Sequence, residues 1–324
     1  MADITHAQIE PTTRCNFTCG FCAGRSMRQG DLDWDAFEAF LTAHPDLRHV
    51  ELQGEGEPLL HPRFFDMAAA CRARGIEVGL ITNGSLLNEV MVERLLAADL
   101  TSIHISMESA DPEQFQRIRG GKFAKVREGI TRLVARRRDL GLERPLIGIT
   151  VTVLKDTLSA MQGIYALYAA EGLDGGLLAQ PLQTMPAYSS RYDSEMAGQI
   201  LVEQDRARFA ALRGALTRAA PVRSPRDYFY YSLFAGFDPA AQSCPWLERG
   251  AYLSATGSVT GCCFMKDEAD AFGSAGDRAT TDARRHALAE ALSGGVIPSP
   301  CRDCSTAAAV VTARGTTLLQ RGTG

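Results

Sequence analysis

Nine cysteines supply the residues most able to do chemistry, and they are not scattered. Cys15, Cys19 and Cys22 form one group, separated by three and then two residues. Cys244, Cys262, Cys263, Cys301 and Cys304 form another, and Cys71 stands alone. Clustered cysteines point to metal or redox chemistry rather than to structural disulfides. Three thiolates can ligate three irons of a cubane and leave the last iron open to a bound molecule. The competing reading is structural zinc, which wants four closed ligands. No His or Cys close to Cys22 supplies the missing one.

The second group has a different logic. Gly257-Ser258-Val259-Thr260-Gly261 reads as a β-hairpin leading into Cys262 and Cys263. One ligand before it, one on it and two from Cys301-Arg302-Asp303-Cys304 make a four-thiolate site. A zinc ribbon fits this spacing as well as an iron–sulfur cluster does. Cys262 and Cys263 are interchangeable here, because neighbours on a strand point to opposite faces. Cys71 lies in an Ala-rich helical stretch and reads as a small buried hydrophobe.

The elements that must position these groups alternate in type. Probable strands cover 8–11, 49–53, 77–82, 102–107, 146–153 and 176–182; helical patterns cover 35–42, 63–74, 88–98, 122–140 and 158–171. Strand–helix repetition means βαβ units and a parallel sheet. Six repeats in roughly 180 residues are too few for an eight-stranded barrel. The expected fold is α/β, a partial (β/α)6 barrel whose strand C-terminal ends carry the site. Another helix is expected over 205–218 and a linker over 221–225. After it the chain turns Gly- and Cys-rich, with helical period only at 282–292 and a Gly/Thr tail at 315–324. The expected division is a barrel over 1–220 and a smaller Cys-rich unit over 221–324.

Composition bounds the function. Hydrophobic residues are 45% and charged residues 22%, ordinary for a soluble globular chain. A net charge of −4 provides no broad basic field for nucleic acid or anionic membrane. The first residues carry no secretory signal, and no run reaches the ~18–20 apolar residues that span a bilayer. A cytoplasmic location is expected.

With strands and cysteines placed, a resemblance emerges. Cys15-Asn16-Phe17-Thr18-Cys19-Gly20-Phe21-Cys22, directly after the first strand, resembles the signature of the radical S-adenosylmethionine (SAM) superfamily. The resemblance implies a SAM-binding [4Fe–4S] cluster on Cys15, Cys19 and Cys22, reductive cleavage of SAM to a 5′-deoxyadenosyl radical, and hydrogen-atom abstraction from substrate. Gly54-Glu55-Gly56-Glu57-Pro58 resembles the family's loop for the cofactor's amino group, implying roles for Gly56, Glu57 and Pro58. Thr82 and Asn83 end the third strand near the cofactor in relatives. Ser106 would reach the methionyl carboxylate or ribose, and Phe21 would lie near adenine. Glu108 stands where many relatives have Asp. The run 147–151 is either apolar contact to adenine or plain core.

The pattern Cys244, Cys262, Cys301, Cys304 resembles the start of a SPASM domain, and no cysteine follows Cys304. That implies the shortened twitch version, with one auxiliary [4Fe–4S] cluster. A coordinatively closed cluster suits electron transfer and hence net oxidation. Relatives so built mostly modify ribosomally synthesised peptides, and a minority oxidise sugars or aminocyclitols. Peptide oxidation is therefore the expected reaction, with a dehydrogenase or epimerase of a small metabolite as the alternative. Epimerisation needs a hydrogen-atom donor, for which Cys263 is the candidate. Expected partners are a flavodoxin- or ferredoxin-type reductant and, since no extra N-terminal domain is visible, either a separate leader-peptide recognition protein or direct docking of the peptide. Asp227 to Tyr231 would line a substrate groove or bridge the two units as aromatic core. Gln180, Tyr188, Arg191 and Asp193 face the same region, and none is assigned as a general base.

Overall fold

A computed structural model describes residues 3–219, 223–224 and 228–321. The expected linker at 221–225 lies mostly outside the described residues, as does Asp227. Six parallel strands form the frame: β1 (His6–Ile9), β2 (His49–Leu52), β3 (Glu77–Thr82), β4 (Ser102–Ser106), β5 (Leu146–Val153) and β6 (Leu177–Pro181). They are ordered β6-β5-β4-β3-β2-β1. Six helices follow or link them: α1 (Trp34–Ala43), α2 (Phe64–Ala73), α3 (Glu89–Ala97), α4 (Pro112–Arg119), α5 (Phe123–Asp139) and α6 (Met161–Ala170). The α/β partial-barrel expectation holds.

The two-residue period of each strand separates a helix-facing from an inward face. Ala7 and Ile9, Val50 and Leu52, Val78 and Leu80, Ile103 and Ile105, and Ile147, Ile149 and Val151 all join the main apolar core. Their inward neighbours include Gln8, Gln53, Ser106, Thr150 and Thr152, which line a cavity at the strand ends. Helix starts are capped by side chains: Asp33 for α1, Asn88 for α3 and Asp111 for α4.

Several elements differ from expectation, short helices such as Ser194–Ala197 and Pro245–Arg249 among them. α4 was not foreseen, because its eight residues are strongly polar and only Phe115 and Arg119 are buried. The single helix expected over 158–171 is a 3-10 turn, Lys155–Ala160, followed by α6. The described part of the Gly/Thr tail, residues 315–321, continues a helix, Ser305–Arg321, anchored where Ala307 and Val310 pack into the C-terminal core. Once such packing nucleates a helix, propagation through weaker formers is cheap.

The C-terminal segment is continuous with the barrel sheet. β7 (Gly250–Leu253) pairs parallel with β1, and β8 (Ser258–Thr260) and β9 (Gly273–Ser274) extend the sheet antiparallel. Ala251, Leu253 and Val259 belong to the main core. A second core gathers Phe229, Leu233, Trp246, Leu247, Met265 and Leu292 among others. The hairpin expected before Cys262 is β7–β8. Among the described residues no helix is long and apolar enough to cross a membrane.

Candidate functional site

The loop after β1 carries the first cysteines and is held from three sides. The Glu10 carboxylate accepts hydrogen bonds from the Glu55 amide (2.7 Å) and the Ala255 amide (3.1 Å), tying the β1, β2 and β7 ends together. The Glu57 amide donates to the Arg14 carbonyl at 2.9 Å. A Cβ at Gly56 would stand 2.3 Å from the Thr12 carbonyl oxygen, so only glycine lets the two loops touch. The C-terminal end of α4 holds the far side, where the Thr18 amide donates to the Arg119 carbonyl at 3.0 Å. Gly120 takes a left-handed φ of 70° there, and a Cβ on it would meet Thr18 Oγ1 at 2.2 Å.

Cys15 and Cys19 line the cavity at the strand ends, together with Phe21, Glu55, Gly56, Glu57, Thr82, Asn83 and Ser106. Cys22 stands just behind, its Sγ 3.2 Å from Glu55 Oε2. Pro58 is buried at the start of the short turn Pro58–Leu60. Burial pushes all three thiols up: Cys19 to about 11, and Cys22 well above the usual range, with Glu55 adding to the shift. They are therefore protonated until something binds and displaces the protons. Among the described residues no three His, Cys, Asp or Glu side chains converge as a single metal ion demands. The donor set on this loop is three thiols beside a cavity, soft donors that fit a multi-iron group with room for a bound molecule at an open position.

Glu57 is braced. It is 1% exposed, and its carboxylate accepts hydrogen bonds from Thr82 Oγ1 (2.7 Å), the Asn83 amide (2.7 Å) and the Leu59 amide (3.2 Å). This fixes the β3 end, from which Asn83 Nδ2 reaches within 3.8 Å of Cys15 Sγ. Glu108 has a definite partner. It forms a buried ion pair with Arg119, through Nε and through Nη2 at 2.7 Å. Burial pulls the Arg119 pKa down, but the Glu108 charge outweighs it and holds it above the usual value. Arg119 Nη1 also lies 3.8 Å from Cys19 Sγ, and its guanidinium carbon is 5.8 Å from the Phe21 ring centre.

The run 147–151 resolves in favour of core. Ile147, Ile149 and Val151 are fully buried on the helix side, and the cavity-facing residues of β5 are Thr150 and Thr152. Gln180 and Tyr188 line the cavity. Arg191 instead pairs with Asp267 at 3.3 Å, and Asp193 caps the short helix Ser194–Ala197. Tyr228 is fully buried and stacks on His104 at 4.1 Å, so it bridges barrel and C-terminal segment. Tyr230 lines the cavity, its hydroxyl 2.9 Å from Gln8 Oε1 and 2.8 Å from Gln53 Oε1. The segment thus packs against the barrel through Tyr228 and reaches the cavity through Tyr230.

The C-terminal cysteines divide between two surroundings. Cys244 and Cys304 stand at the starts of helices, and Cys301 ends the turn Ser299–Cys301. Burial pushes Cys244 and Cys301 up to about 12, and the charges of Cys244, Cys301 and Cys304 act on one another. Cys262 feels Cys244 and Cys304 as well as its neighbour. Cys263 lines the same cavity as Cys15 and Cys19; Lys266 and Glu55 are its strongest charged neighbours, and Cys304 acts on it as well. Cys71 is fully buried in the main core. Arg119, Glu10 and Lys266 were not singled out from the sequence, and nothing in their spacing marks them.

A parallel partial barrel with three cysteines on the loop after its first strand, beside a strand-end cavity, is the arrangement to set against known proteins. The family profile described as "Radical SAM superfamily" matches residues 9–167, just under half of the chain. It is similar to the tungsten-containing aldehyde ferredoxin oxidoreductase cofactor-modifying protein of Pyrococcus furiosus, 32% identical over 184 residues, 55% of this chain and 52% of that protein. AdoMet-dependent heme synthases and GTP 3′,8-cyclases match over similar stretches. The chain spans about half the length of the curated relatives it matches. Among solved structures, anSMEcpe with bound AdoMet superposes with a TM-score of 0.67 at 16% identity, over 99% of this chain and 100% of that one. Streptococcus suis SuiB bound to its precursor peptide SuiA gives 0.66 at 15%, over 86% and 64%. At such identities these two structures establish the fold alone.

Proposed function

We propose that the chain is a radical SAM enzyme that oxidatively modifies a ribosomally synthesised peptide. Cys15, Cys19 and Cys22 hold one [4Fe–4S] cluster with an open iron for SAM. When bound, these groups supply a carbon radical that removes a hydrogen atom from substrate. Gly56, Glu57, Pro58, Thr82, Asn83, Ser106 and Phe21 shape the cofactor's place, and the Glu57 brace keeps the β3 end from shifting. Cys244, Cys262, Cys301 and Cys304 hold an auxiliary [4Fe–4S] cluster in a twitch-like unit over 221–324. Gln180, Tyr188 and Tyr230 present hydroxyl and amide groups to the substrate and screen it from water. The reductant is a flavodoxin or ferredoxin. The observation that carries the reading is one cavity whose wall combines Cys15 and Cys19, the strand ends, and the Cys263–Lys266 stretch of the C-terminal segment.

A second reading has its own support. Cys263 lines the cavity, whereas Cys244, Cys262 and Cys301 do not. A thiol there can return a hydrogen atom to a substrate radical, which is redox-neutral epimerisation of a sugar, aminocyclitol or peptide residue. The superfamily reading is tested by iron and sulfide analysis and by SAM cleavage. Oxygen-free reconstituted protein holds about eight irons and eight sulfides, at ~4 per cubane. With dithionite and SAM it yields 5′-deoxyadenosine. Zinc without sulfide overturns the reading. Deuterium from solvent appearing in the product selects epimerisation over oxidation.

A further inference from the structure

The three N-terminal thiols meet unequal surroundings. Cys15 has an amide nitrogen nearby and Cys19 a guanidinium, each at 3.8 Å. Cys22 faces an anion: its Sγ lies 3.2 Å from Glu55 Oε2 and 3.4 Å from the Glu55 carbonyl oxygen. As a thiol, Cys22 donates to that carboxylate. As a metal-bound thiolate it has no proton to donate, and two negative groups then meet where water is scarce. The Glu55 side chain is only 12% exposed.

The C-terminal segment supplies what offsets this. The Lys266 side chain is 2% exposed, and its Nζ stands 3.3 Å from Glu55 Oε1. It also donates to Tyr252 Oη at 2.8 Å and lies 4.2 Å from the centre of that ring. The Tyr188 hydroxyl donates to the same Glu55 oxygen at 2.7 Å. Glu10, the other carboxylate here, is taken up by backbone amides. A lysine is almost never this buried unless anions pair with it. Its nearest carboxylate is the one that touches Cys22.

We propose that Lys266 is the counter-charge that sets the reduction potential of the cluster held by Cys15, Cys19 and Cys22. The inference rests on the cluster reading above. Lys266 acts through Glu55 and touches neither thiolate nor substrate, so it is a positioning residue. Cluster potentials follow net charge, hydrogen bonding at sulfur and solvent exposure. A fixed positive charge beside the Glu55–Cys22 pair favours the added electron. The C-terminal segment thus governs how readily the N-terminal cluster is reduced, whatever its own cysteines bind.

The test is a redox titration of the reconstituted full chain, followed by electron paramagnetic resonance. The N-terminal cluster is recognised by the change SAM makes to its spectrum. Lys266→Met shifts its midpoint negative, Glu55→Gln shifts it positive, and Lys266→Arg, which keeps the charge, restores the wild-type value. A wild-type midpoint in Lys266→Met overturns the proposal. So does Lys266→Arg behaving like Lys266→Met, since packing rather than charge is then at work. Should Lys266→Met fail to fold, Glu55→Gln decides alone, and an unmoved or more negative midpoint refutes the idea. Wild-type protein lacking any SAM-sensitive signal defeats the cluster reading itself, and this inference with it.

Discussion

Glu51 allows a stability prediction that depends on no cofactor. It sits on β2 facing into the barrel, where Gly79 on β3 leaves room: a Cβ there would lie 2.4 Å from Glu51 Oε2. The carboxyl is fully buried, and among the described residues neither oxygen has a hydrogen-bond partner. Burial pushes its pKa from 4.5 up to about 8. The sign is opposite to that of a salt-bridged carboxylate. Between the unfolded and folded pKa values the native state holds one more proton than the unfolded state, so stability falls as pH rises. The slope is about 1.4 kcal/mol per pH unit, or about 2.7 kcal/mol from roughly pH 5.5 to roughly pH 7.5. Glu51→Gln keeps the shape and removes the titration. At about 2 °C per kcal/mol, the melting temperature of Glu51→Gln should gain about 5 °C on wild type across that interval. Differential scanning calorimetry of both proteins at several pH values measures the gap, and other titrating groups cancel in the difference. A gap that stays constant with pH refutes the reasoning, because it means that the Glu51 proton is not held by burial.

Other perturbations follow from the site. Changing Cys15, Cys19 or Cys22 to Ala should abolish 5′-deoxyadenosine formation and lower iron from about eight to about four per chain; undiminished iron would show that these thiols hold no cluster. Arg119→Met strands the Glu108 carboxylate in the cavity wall, and loss of one partner of a buried pair costs about 3–5 kcal/mol, read as a lower urea midpoint. The double variant Arg119→Met/Glu108→Leu should recover most of that loss. Gly120→Ala combines a left-handed φ with a clash at Thr18, so it should destabilise by at least about 1 kcal/mol and loosen the Cys19 loop, visible as faster amide exchange around Thr18. Cys263→Ala should leave the iron content unchanged while Cys262→Ala lowers it; the reverse would exchange their roles.

Some of this was legible in the sequence because local rules are enough for it. Cysteines spaced by three and two residues after an apolar strand fix the thiols on one loop. Strand–helix alternation fixes a parallel α/β barrel. The two-residue period tells that alternate residues of a strand face opposite sides, but for 147–151 it left core and cavity contact equally open. What only the tertiary structure decided lies in contacts between positions far apart in the chain. Arg119 meets Cys19, Lys266 meets Glu55, and β7 joins the sheet beside β1. Cys262 and Cys263 are adjacent in sequence, and the path of the chain after β8 sets which one turns to the cavity. Glu51 looks like an ordinary polar strand residue until its neighbours are known to offer it nothing. Charge and burial are properties of what lies opposite a side chain, and sequence spacing does not specify what lies opposite.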